Sequence, residues 1–108
     1  MSPEADVEWV GPDIIREIFN REQFYQQTLD GRMKAVIKKD RHPDSPPPGE
    51  PVCTRSQIVL YYDQDNRWVA LVHQYLRRDG TLGGSGKPDP KRLQYANRIL
   101  AVRSQSHK

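Results

Sequence analysis

The chain has 108 residues, 35% of them hydrophobic, with a formal net charge of +3 at pH 7 and a single cysteine, Cys53. That length supports one hydrophobic core and not two, and a lone thiol excludes an internal disulfide framework. No apolar run approaches the roughly 20 residues that span a bilayer, and the acidic opening, residues 1–6, has no secretory character, so the expectation is one cytoplasmic domain over residues 1–108 with no membrane partner.

Residues 1–10 are expected to form a flexible lead-in, with Trp9 and Val10 as its anchor. Gly11-Pro12-Asp13 reads as a helix start, because proline suits the first helical position and an acid favours the positive end of the helix dipole. Ile14, Ile15, Ile18, Phe19, Tyr25 and Leu29 then fall on one stripe at helical spacing. Asp30-Gly31 ends the helix, with Gly31 suited to a left-handed cap. From Arg32 to Lys39 the pattern alternates, Met33, Ala35 and Ile37 against Lys34 and Lys38, as in a half-buried strand. The lysines, with Lys39 and Arg41, make a basic row that guards a sheet edge or extends an anion-binding surface.

Residues 40–51 hold five prolines, which forbids a helix and most sheet pairing. Thr54 to Asp63 and Arg67 to Leu76 read as two strands of a hairpin around the turn residues Asp63-Gln64-Asp65-Asn66. Residues 79–92 form a second long loop, rich in glycine and proline. Residues 91–103 suit either a helix or a strand, and Ile99, Ala101 and Val102 favour a short strand. Residues 104–108 are expected to be a frayed tail. The fold class is therefore α+β: one N-terminal amphipathic helix packed on a three- or four-stranded, mostly antiparallel sheet. Helix before sheet is also the element order of small barnase-like and RelE-like ribonucleases, to which the chain is similar in that respect alone, since no motif of either is present.

Charge is unevenly placed. Residues 1–30 carry two basic and seven acidic side chains, and residues 67–108 carry nine basic and two acidic. A basic C-terminal part points to an anionic partner such as nucleic acid, unless acidic helix and basic tail pack together. Within it, Gly83-Gly84-Ser85-Gly86-Lys87 invites comparison with the phosphate-binding loop G-x-x-x-x-G-K-[ST]. The match fails, because Thr81 stands where the first glycine belongs and Pro88 offers no hydroxyl to Mg²⁺. A weaker possibility survives, in which Gly83, Gly84, Ser85 and Gly86 turn backbone N–H groups toward an anion while Lys87, Lys91 and Arg92 add charge.

His73, Tyr75 and Arg77 share one face of an extended strand. A histidine near neutral pKa, a phenol and a guanidinium suit phosphoester cleavage, with His73 as general acid or base and Arg77 stabilising phosphate charge. His42 reads as a solvated loop residue and Cys53 as a buried, inert thiol. No zinc-finger or H-E-x-x-H spacing occurs, so neither metal nor cofactor is expected. The leading expectation is a non-enzymatic module that binds nucleic-acid backbone, RNA or DNA, through Arg77, Arg78, the glycine loop, Lys87, Lys91 and Arg92. A metal-independent ribonuclease, toxin-like in type, is the alternative. A protein-interaction domain docking through the Pro-rich loop 43–51 is the second alternative.

Overall fold

The computed structural model describes residues 7–103. Their element order is β1 (Val7–Trp9), α1 (Pro12–Arg21), α2 (Phe24–Leu29), β2 (Lys34–Arg41), β3 (Arg55–Tyr62), β4 (Trp68–Leu76), β5 (Asp89–Tyr95) and β6 (Arg98–Ala101). The strands form one six-stranded sheet in the order β1-β6-β5-β4-β3-β2. β1 pairs with β6 in parallel and every other neighbour is antiparallel. This corrects the expected fold class: the sheet has six strands and is mixed, and two short helices replace the single long one.

Each difference has a local cause. The helix breaks at Gln23, whose φ of 58° is left-handed. Phe24 lies five residues after Phe19, about 140° off its stripe on an unbroken helix. The break swings Phe24 inward, where its ring meets Phe19 edge-on at 5.8 Å. Two expected stripe members lie outside: Ile14, five residues from Phe19 and about 140° from it on α1, at 48% exposure, and Leu29, beyond the break, at 62%. Gly31, with φ of 87°, follows the second helix as expected.

Two strands lie where loop was expected. Val7–Trp9, assigned to the lead-in, runs beside β6, while residues 1–6 and the expected frayed tail 104–108 lie outside the described residues. β5 occupies the end of the second long loop and contains Pro90, which is buried. Proline is tolerated there because the ladder is irregular: the register shifts between Leu71 and Val72, whose partners are Arg92 and Pro90. A two-residue turn at Ala96-Asn97, both with positive φ, returns the chain into β6.

The core lies on one face of the sheet. Ile15, Phe19 and Phe24 from the helices pack with Val59, Tyr61, Ala70, Val72, Leu93 and Leu100. Tyr61 is 1% exposed, and burial pushes its phenol pKa well up. Cys53 is exposed rather than buried. Among the described residues no helix is long and apolar enough to cross a membrane. Phe19 sits between Phe24 and Tyr61, the latter ring 6.0 Å away. Phe19→Ala is therefore expected to cost about 3–5 kcal/mol, measured by denaturant unfolding. A loss below about 1 kcal/mol would show that this aromatic cluster does not anchor the fold.

Candidate functional site

The strand register sorts side chains into two faces. The face opposite the core carries a row that crosses all six strands: Val36, Leu60, Leu71, Arg92, Ala101 and Trp9. Beside it run Lys39, Ile58, His73 and Asp89, and then Arg41, Ser56 and Tyr75. Aliphatic, aromatic and cationic groups thus share a face whose centre neither helix occupies.

His73 is the focus of this face. Its Nε2 shares a 2.8 Å hydrogen bond with the Ser56 hydroxyl, and its ring meets Tyr75 edge-on at 4.8 Å. Burial holds the imidazole below its ordinary pKa, the nearby Lys91 ammonium adds to the effect, and Asp89 opposes it. Asp89 is bridged by Arg16 at 3.4 Å and by Lys91 at 2.9 Å. A cleft of about 1090 Å³ opens beside His73, with apolar contributions from Trp9, Ile58, Leu71 and Val102 and cations at Arg16, Lys91, Arg92 and Arg103. The Arg103 guanidinium stands 4.8 Å from the centre of the Trp9 indole.

A second hollow shares Arg16, His73 and Lys91 with the first, and the glycine loop with Tyr75, Lys87 and the acidic Asp89 is among the rest of its lining. The structure therefore gathers His73, Tyr75, Gly83, Gly84, Ser85, Lys87 and Lys91 around one hollow and sets Arg92 on the neighbouring one. Arg78 is exposed, and Gly86 closes a tight turn by donating its N–H to the Gly83 carbonyl.

Arg77 goes elsewhere. β4 ends at Leu76, and the Arg77 guanidinium donates to the Glu50 carboxylate at 2.8 Å. Glu50 also accepts the Gly84 N–H at 2.8 Å. Its side chain is 6% exposed, and Arg77 first, then Gly84, hold the carboxyl below its usual pKa against the effect of burial. The glycine loop does bind an anion, but the anion is this chain's own Glu50. The Pro-rich loop that carries Glu50 is anchored by that contact and by the Thr54 hydroxyl on the Pro51 carbonyl. His42 is exposed, 4.0 Å from Asp40.

Sequence patterns passed over Ser56, Arg16, Arg103 and Glu50. Ser56 was out of reach too, because the ladder shifts by one residue between Tyr61 and Tyr62, so the turn alone does not set Ser56 opposite Tyr75 and diagonal to His73. No local signal marks the others, which arrive through tertiary contact. Among the described residues no group of three or more His, Cys, Asp or Glu is placed to hold a metal ion. Comparison with known proteins shows no match to this chain, whether among family models, curated proteins or solved structures.

Two outcomes follow from these contacts. A Cβ on Gly83 would lie 2.5–2.7 Å from the Glu50 carboxyl atoms, so Gly83→Ala must displace that carboxylate. The thermal midpoint should fall by about 5 °C, with Ser85→Ala as an exposed control in the same loop. An unchanged midpoint would mean that the carboxylate is not held as described. For His73, the unfolded chain takes up a proton below about pH 6.5 that the folded imidazole resists. This contribution to stability is complete above that pH and declines as the pH falls through it. Urea unfolding at about pH 7.5 and about pH 5.5 should show a loss that His73→Gln reduces. Equal losses in both proteins would remove His73 as the cause.

Proposed function

We propose that this protein is a small nucleic-acid-binding module that holds a phosphate backbone against the face of its sheet opposite the core. The observation that supports it is the set of cations on that face. Lys39, Arg41 and Arg92 have no ion-pair partner among the described residues, and they share the face with His73, Tyr75 and the indole of Trp9. Cations tracking a backbone, interleaved with aromatic rings, are what sequence-tolerant nucleic-acid binding requires. Arg77 is not part of this surface, because its guanidinium is committed to Glu50.

A metal-independent ribonuclease is the second reading. One observation favours it: the His73 imidazole, neutral near neutrality and held by Ser56, lies beside a cationic cleft. Such a group can take a proton from a ribose hydroxyl.

The two readings separate in one titration. An end-labelled single-stranded RNA with chelator present should show an anisotropy rise that shrinks steeply with salt. Replacing Lys39, Arg41 and Arg92 together with Gln should weaken binding about tenfold and flatten the log–log salt slope by about 2, roughly 0.7 for each lost contact. Unchanged affinity in the triple variant would overturn the binding surface. A rise followed by decay below the free-RNA value would mean cleavage, and His73→Ala should then abolish it.

A further inference from the structure

We infer that the cleft beside Trp9 receives an unpaired base, so that the strand bound is single rather than duplex; this rests on the backbone-binding reading above. The argument starts from the mismatch between the cleft and a duplex. A double helix presents phosphates outward and base edges within its grooves, while the base faces are stacked on one another. It would satisfy Arg92 and Lys91 but leave Ile58, Leu71 and the indole against polar groups. An unpaired base has both parts that the cleft asks for, a flat π-face for the apolar wall and a phosphate one bond system away for the cations.

Trp9 is the specific element. Its indole is 46% exposed on a three-residue strand and joins an apolar ring face to a polar N–H, the character that suits tryptophan to binding surfaces. The Arg103 guanidinium, 4.8 Å from the ring centre, shows that the ring face accepts a planar, charge-bearing group. A base is planar in the same way. If it takes the place of Arg103 on the indole, the guanidinium is released at the mouth of the cleft, where the phosphate attached to that base lies. The volume of about 1090 Å³ lies just above the range for small-ligand sites, about 300–1,000 Å³. There is room in it for one nucleotide.

The test uses the full chain, low salt, chelator and three labelled probes: an oligothymidylate of about twelve nucleotides, an abasic strand of the same length, and the oligothymidylate paired with oligodeoxyadenylate. The oligothymidylate should bind about tenfold more tightly than either of the others. Trp9→Ala should bring it down to the level of the abasic strand, and Trp9→Phe, which keeps a ring, should retain most of the preference. Equal affinity for the three probes on the native chain overturns the base-binding cleft while leaving the backbone reading in place, and that comparison needs no variant to fold. Absence of binding to all three overturns the backbone reading and this inference with it.

Discussion

Between β1 and β2 the chain has to cross the whole width of its sheet. β1 stands at one edge and β2 at the other, and the connection that joins them is α1 and α2. A single pass can cover only one face. The break at Gln23 follows from this requirement, since a straight helix would carry Phe24 away from the sheet, whereas two short helices let Ile15, Phe19 and Phe24 all bury. What remains is a sheet with a packed side and an open side. The open side has no further element among the described residues to cover its centre, and Lys39, Arg41, Arg92 and Trp9 are exposed on it.

The far ends of β3 and β4 face a different problem. Two long loops, one rich in proline and one in glycine, meet there without regular structure to pair their backbones. Glu50 joins them. A carboxylate that is 6% exposed needs charged or N–H partners to offset its lost hydration, and Arg77 and Gly84 supply both. Gly83 is glycine because the carboxylate occupies the space of a Cβ. The loop thus has the conformational freedom to bind an anion, as its composition suggests, yet that capacity is absorbed in holding the fold together. Composition identified the chemistry; only the tertiary contact identifies the anion.

Elements with dense local signals were legible in the sequence. The β3–β4 hairpin, the strand read over Arg32–Lys39 and the strand near Ile99 carry β-branched runs, although the second of these lies at Lys34–Arg41 and is exposed along its whole length rather than half-buried. β1 and β5 did not show, for physical reasons that differ. β1 has three residues and owes its existence to a parallel partner more than ninety positions away, Val7 lying beside Ile99. β5 contains a proline that argues against a strand until the irregular ladder at Lys91 is known. The same distinction holds for the site. His73 and Tyr75 share a face because period two requires it, but Arg77, two residues further, lies beyond the end of the strand where that period no longer applies. Ser56 and Arg16 reach His73 and its neighbour Asp89 through register and helix packing, which no local pattern encodes.

The uneven charge along the chain admits a bland explanation, in which the acidic N-terminal part neutralises the basic C-terminal part inside the fold. The ion pairs decide against it as a full account. Arg98 does reach Glu8, but the other long-range pair between these regions, Arg16 with Asp89, runs with the opposite polarity and places a further cation beside Lys91. Asp13 and Glu17 on α1 form no ion pair with the C-terminal cations among the described residues. Among the described residues, Arg92, Lys87 and Arg103 are thus left without an acidic partner, so the acidic N-terminal part does not account for them.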